Sequence, residues 1–305
     1  MIIVLWFISA SYPHLTFYTY LKQVLGNIVG NFLILLYTFY FIFITITLLI
    51  FFNTLIGAWV LPNTPGIVKL ILFIIPALYL LISPLKTIAT FMTISSPFLL
   101  LAPICATFAF SDSEPLYLLP IFETDWIGIW KGALSSTFAM QGFLILPIIY
   151  PFVSGTSKEK LLTATYANIF VTIFYTFIVL ACFIYFSPGQ FNILPEPFLY
   201  MIKTISFTIF ERVDLIFLAC WSIIVLTTLT ILLYASTTGL EIMFNKSKTK
   251  LFSIIIGSIV VILSNIPQNL LTIRRIFHFN EYADIVFAIL ISIFLLMYQK
   301  LLKYK

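Results

Sequence analysis

At 305 residues the chain is 62% hydrophobic and 9% charged, with a formal net charge of +5. Soluble domains carry roughly 25% charged residues, so this composition excludes a water-soluble fold. The lysines are scattered at the ends of apolar runs and never form a basic patch interleaved with aromatics, which removes any argument for nucleic acid.

What remains is a multi-pass membrane protein. Uncharged stretches such as 87–111, 132–157 and 215–240 each exceed the ~20 residues that a helix needs to cross about 30 Å of hydrocarbon. Apolar runs bounded by charge, proline and glycine predict nine helices in an all-α bundle, one membrane domain over residues 1–305. The first, 1–19, is short and lacks a basic start, so it makes a poor signal peptide and looks like the remainder of a longer hairpin. Gly26 and Gly30 precede the second, 30–57, and Leu61, Pro62, Asn63, Thr64 and Pro65 turn the chain into the third, 67–83. Helices at 91–110, 130–152 and 161–186 follow. The longest connector, 187–214, contains Pro188, Pro195 and Pro197 and then an amphipathic stretch, 198–210. That stretch reads either as a short interfacial helix with Lys203 in water or as a polar-tipped loop. Helices at 213–240, 250–266 and 283–302 complete the chain.

Alternate connectors differ in charge. One set holds ten basic residues (Lys22, Lys86, Lys158, Lys160, Lys246, Lys248, Lys250, Lys300, Lys303 and Lys305) against Glu159 and Glu241. The other holds six basic residues against nine acidic ones, Asp284 among them. Lysine and arginine are retained on the cytoplasmic side of short loops, so the carboxyl terminus is predicted to be cytoplasmic and, with nine spans, Met1 external. An external amino terminus without an export signal would be relieved by one further helix before Met1.

Cys105, Cys182 and Cys220 each sit inside an apolar run, the pattern of packed thiols rather than of a disulfide or metal framework. His14 and His278 are far apart, and no metal site, cofactor site or ATP-binding loop is predicted.

Polar residues within spans usually face the bundle or a cavity, because exposing them to lipid is costly. Tyr37, Tyr40 and Thr47 fall on one helical side, as do Thr227, Thr230 and Tyr234, and a third stripe joins Thr165, Asn168, Thr172 and Thr176. These hydroxyls either line a ligand site or bond helix backbones. In the helix at 130–152, Gln141 and Gly142 lie mid-span with Pro147 two turns on. That pattern fits a broken helix whose freed backbone groups cradle a ligand, or a plain proline kink. Ser135, Ser136, Gln141 and Gly142 are the leading candidates for ligand contact, with Tyr37, Tyr40, Thr227 and Thr230 beside them. Glu211, Arg212 and Asp214 stand at a span's outer entry, where Glu211 and Arg212 can neutralise each other or grip a partner.

Several strings resemble the GerAB-type endospore germination permeases, the B subunits of spore germinant receptors. They are Phe210, Glu211, Arg212, Val213 and Asp214 leading to Trp221, the turn carrying Pro62 and Pro65, the Gly26 and Gly30 pair, and the Lys131–Gly132 and Pro151–Phe152 pairs that bracket one helix. The resemblance covers essentially the whole chain. It implies the inverted-repeat fold of LeuT-like amino acid/polyamine/organocation transporters, with a broken sixth helix at the ligand and the family's first helix absent before Met1. Where family members place a glutamate after a glycine–aromatic pair, Leu144 follows Gly142 and Phe143, so ion coupling through that carboxylate is not implied here.

The function implied is a non-enzymatic membrane subunit that senses a small nutrient, an amino acid above all. It would act in the spore inner membrane with an A-type membrane protein and a C-type lipoprotein. A secondary amino acid transporter and a truncated, non-binding copy are the competing readings.

Overall fold

The computed structural model describes all residues except 109, 111–112, 121–122, 206–211 and 304–305. The described chain is an all-α bundle. Its helices are α1 (Ile2–Ser11), α2 (Phe17–Trp59), α3 (Gly66–Leu81), α4 (Leu85–Ser95), α5 (Leu101–Phe108), α6 (Trp126–Ser135), α7 (Thr137–Met140) and α8 (Leu146–Ile149). There follow α9 (Ser157–Tyr185), α10 (Pro188–Ile193), α11 (Pro197–Lys203), α12 (Val213–Phe244), α13 (Thr249–Asn265), α14 (Leu270–Asp284) and α15 (Ile291–Lys303).

Among the described residues five helices are long and apolar enough to cross a membrane: Phe17–Trp59, Leu85–Phe108, Ser157–Tyr185, Val213–Phe244 and Leu270–Leu301. A sixth is the pair Trp126–Ser135 and Thr137–Phe152, bent by 49°. The other three predicted runs are shorter apolar helices, Ile2–Ser11, Gly66–Leu81 and Thr249–Asn265. Each of the nine predicted runs therefore contains helix, but several boundaries move. The first helix ends at Ser11 rather than near 19, because the chain turns at Pro13 and His14 before Thr16 caps the start of α2.

α2 and α12 form the centre. Buried Ile34, Phe41 and Ile44 pack with Leu232 and Ala235, and one turn further along Leu49 packs with Leu229 and Leu233. α2 is broken at Gly26, whose φ of +79° falls in the left-handed region that favours glycine. Past the break, Gly30 lies against the preceding turn so closely that a Cβ there would meet the Leu21 carbonyl oxygen and Lys22 Cα at 2.7 Å. Both the turn and the close approach therefore use the glycine pair. The break also sends Lys22 Nζ to the Ile242 and Met243 carbonyls at the end of α12, where a cation answers the negative end of the helix dipole. Asn245 then closes α12 in the left-handed region. Lys22 is thus brought beside the Lys246 to Lys250 connector, with which it was grouped by charge.

The connector after α9 folds into the short helices α10 and α11. Lys203 is exposed and lies 5.8 Å from the centre of the Trp59 ring, while Leu199, Met201 and Ile202 are buried. The predicted helix thus exists over 197–203 and ends at Thr204; residues 206–210 of the 198–210 prediction lie outside the described residues.

Candidate functional site

The broken helix forms where the sequence places its polar and proline residues, although not at the expected residue. The bend falls at Ser136, five residues before Gln141; from Gln141 to Ile145 the chain is a tighter 3₁₀ turn, and Pro147 lies in α8. Tight 3₁₀ turns have poorer hydrogen-bond geometry than an α-helix, which weakens the span here.

The last helix differs more from expectation. The charges Arg274, Arg275 and Glu281 suggested a connector up to 283, yet helix runs from Leu270 to Lys303. Asn269 caps it by accepting from the Leu271 N–H at 2.9 Å. Arg274 and Arg275 are exposed on one side, while Ile273, Asn280 and Asp284 are buried on the other. Asp284, grouped by charge with the outer connectors, is therefore an interior residue, 2% exposed.

Asp284 gathers three elements. Its Oδ1 accepts from the Tyr40 hydroxyl of α2 at 2.8 Å. Its Oδ2 accepts from Gln141 Nε2 at 2.6 Å, from the Thr137 hydroxyl at 3.2 Å, and from Asn280 Nδ2, one turn earlier on its own helix, at 3.1 Å. The ion pairs among the described residues are Arg212–Asp214 and His278–Glu281, so the donors facing Asp284 are neutral. A buried carboxylate is costly unless hydrogen bonds replace its hydration; Tyr40, Gln141 and Asn280 do that here, with the Thr137 hydroxyl shared between Asp284 and the Leu134 carbonyl at 2.7 Å.

Immediately after Asp284 the helix widens into a π turn, Ile285–Leu290. The Phe287 carbonyl there accepts from the Tyr37 hydroxyl at 3.0 Å and from the Ser292 hydroxyl at 3.3 Å. The Phe287 ring stacks on Tyr40 with centroids 4.3 Å apart. Tyr37 and Tyr40 thus both dock on the last helix.

Of the residues singled out from sequence, Gln141, Tyr37 and Tyr40 come together around Asp284 and its π turn. Ser135 and Ser136 are exposed, and the Ser136 hydroxyl donates to the Ala133 carbonyl of its own helix. Thr227 and Thr230 are buried and donate to the Ile224 and Leu226 carbonyls, as Thr47, Thr165 and Thr172 do one turn back on theirs. These hydroxyls thus make backbone bonds of the kind one of the two readings expects. Pro62 is exposed in the turn after α2, and Pro65 precedes the first residue of α3.

Arg212 pairs with Asp214, through Nη2 to Oδ2 at 2.7 Å and Nε to Oδ1 at 3.0 Å. The planar guanidinium fork fits a carboxylate two residues on. Glu211 itself lies outside the described residues. Hydrogen bonding to Asp214 raises the Arg212 guanidinium pKa above its ordinary value.

Sequence reasoning missed Asp284, Asn280 and Thr137. The signal was the four-residue step from Asn280 to Asp284, which puts both on one helical face, continued by Ile273 seven residues earlier; the arginines of the opposite face masked it.

A cavity of about 530 Å³ lies on another side of the broken helix, lined by Met140, Gly142, Phe143, Lys160, Asn168 and Thr228 among others. Lys160 Nζ donates to the Tyr150 carbonyl at 3.0 Å and sits 4.3 Å from the centre of the Tyr150 ring.

An all-α bundle of apolar helices, with one span broken and tied by its polar residues to the interior, defines a membrane protein of permease type. The family model described as "Spore germination protein" matches residues 1–273, and the chain belongs to that family. A curated relative, spore germination protein GerQB of Bacillus cereus, is 26% identical over 224 residues, covering 72% of this chain and 61% of the relative. The chain thus spans less than two thirds of that relative's length. No solved structure matches significantly.

Proposed function

We propose that this chain is the membrane-embedded B-type subunit of a nutrient germinant receptor, non-catalytic and seated in the spore inner membrane with its carboxyl terminus cytoplasmic. It takes a small germinant, an amino acid, within the bundle. It passes the event to an A-type membrane protein and a C-type lipoprotein. The observation that carries this reading is the break at 136–145, which has an open cavity on one side and the Asp284 cluster on the other. A ligand there shifts the bundle between two states only by binding one better than the other, and a segment already bent and loosely bonded is suited to having two arrangements.

Gly142 lines the cavity and Gln141 adjoins it, so these two are the foremost proposed contacts. Thr227 is next in sequence to Thr228, which also lines the cavity. Ser135 and Ser136 at the bend come next, and Tyr37, Tyr40 and Thr230 act from the buried side.

The test is germination of spores carrying an in-frame deletion of this chain, measured as loss of optical density with a panel of nutrients. Loss of the response to one nutrient, restored by complementation, is the expected result. Normal responses to every nutrient would sink the reading. Accumulation of radiolabelled amino acid by vesicles containing this chain alone would replace sensing with secondary transport.

A further inference from the structure

We propose that Asp284 is a proton-binding latch inside the bundle, taking its proton on Oδ1 and, when ionised, holding the broken helix against the last helix.

The donor arrangement carries the argument. Ionised carboxylates accept only, with about four lone-pair sites on two oxygens, and here Tyr40, Gln141 and Asn280 donate to Asp284 while the single Thr137 proton is shared between Asp284 at 3.2 Å and the Leu134 carbonyl at 2.7 Å. The four are not equivalent. Asn280 and Gln141 point amide nitrogens at Oδ2, and an amide N–H can only donate. A proton placed on Oδ2 would face two such groups, with the more distant Thr137 hydroxyl at 3.2 Å as the acceptor on that side. Among the described residues the partner of Oδ1 is the Tyr40 hydroxyl, which accepts as readily as it donates. A proton arriving on Oδ1 turns the Tyr40 O–H away and donates to its oxygen, with no side chain displaced. A metal cation would have to push aside donors already 2.6 to 3.2 Å from the carboxylate. A proton needs no such space.

The consequence falls on the break. Hydrogen bonds to an ionised acceptor are roughly twice as strong as neutral ones, and those from Thr137 and Gln141 are what tie the loosened segment to α14. Neutralising Asp284 weakens both at once and frees the segment to move. Gln141 and Thr137 are partly exposed, so the cluster opens at one edge, which is the side from which a proton would arrive.

Among the described residues, the groups around it bring no compensating cation. Its own helix carries the His278–Glu281 pair and the exposed Arg274 and Arg275. α2 contributes Tyr37 and Tyr40, and the charged residue on the broken helix is Lys131 in α6, away from the Thr137 and Gln141 contacts. Among the described residues the buried Asn280 Oδ1 atom has no hydrogen-bond partner, so the cluster has one acceptor unanswered even with the carboxylate satisfied.

The experiment uses the purified full chain in detergent with no germinant, so its outcome is separate from the spore assay. Infrared difference spectroscopy follows the carbonyl stretch of protonated carboxyl groups against pH, and hydrogen–deuterium exchange, corrected for intrinsic rate, follows 137–145. Expected are a titrating carboxyl band that is lost in Asp284→Asn, faster exchange in 137–145 as the band grows, and fast exchange at every pH in that variant. Tyr40→Phe, which keeps the ring stacked on Phe287, shifts the frequency and midpoint of the band. Exchange in the unsubstituted chain that is independent of pH would overturn the proposal, as would a band unchanged by both substitutions.

Discussion

At the scale of single residues, buried polar atoms carry the sharpest consequences. Asp284→Ala removes the acceptor shared by Tyr40, Thr137, Gln141 and Asn280. Leaving buried donors unanswered costs about 1–3 kcal/mol for each group without a substitute, so a loss on the order of 3 kcal/mol is expected, read as a fall in thermal midpoint in detergent. Asp284→Asn, which keeps an oxygen for the amide donors, falls less. Arg212→Ala strands the fully buried Asp214 carboxylate and lowers the midpoint, and Arg212→Lys recovers little because an ammonium cannot reproduce the two-bond fork. Beyond the Asn280–Asp284 step on one helix, these partnerships were not legible in the sequence. Tyr40 and Asp284 are 244 residues apart, and no local pattern reports which two interior helices will meet face to face.

At the scale of elements, glycine placement and connector burial set the expectations. Gly30→Ala drives a Cβ into the Leu21 carbonyl and Lys22 Cα, both backbone atoms that cannot rotate aside, and overpacking of this kind costs about 1–3 kcal/mol. Gly26→Ala meets nothing within 4 Å but must adopt a backbone, φ +79° and ψ 172°, that is essentially glycine's alone, at about 1–3 kcal/mol. Thermal unfolding of the two variants side by side should show both destabilised. In the connector before α11, burial pushes the Glu196 carboxyl above its ordinary range. The native state therefore holds that proton more tightly than the unfolded chain does, and stability falls as pH rises from the ordinary glutamate range through the raised value. Glu196→Gln should remove that slope and leave the protein more stable at neutral pH, which a pH series of unfolding midpoints measures. The apolar bodies of the helices were legible because hydropathy is a property of the run itself. Their ends were less so: Arg274, Arg275 and Glu281 looked like loop charges, whereas a helix carries such residues on one face while burying Asn280 and Asp284 on the other.

At the scale of the whole molecule, the charge grouping of the connectors makes a prediction about sidedness. A membrane-impermeant amine reagent should leave Lys246, Lys248 and Lys250 unmodified on intact cells and modify them in inverted vesicles. Modification from outside would reverse the orientation. The all-α class and the broken span were legible from residue type and spacing, because lipid as solvent leaves a chain of this composition few other ways to satisfy its backbone. The bend itself settled at Ser136, since the placement of a kink depends on which carbonyls lose partners once neighbours pack.

The six-residue π turn has one more implication. Asn280, Asp284, Ala288 and Ser292 are all buried, three successive strides of four, and in an ordinary helix each such stride overshoots a full revolution by about 40°. Uncorrected, the inward stripe would wind around the cylinder and leave Ser292 facing outward; the extra residue housed in the wide turn absorbs that drift and keeps the stripe straight. Excising any one residue from 285–290 would restore a regular spiral and rotate α15 by about 100° relative to α14. That would swing Leu295 away from the Leu5 and Ile8 side chains with which it clusters. A one-residue deletion there should therefore disrupt the bundle more than a conservative substitution at the same site.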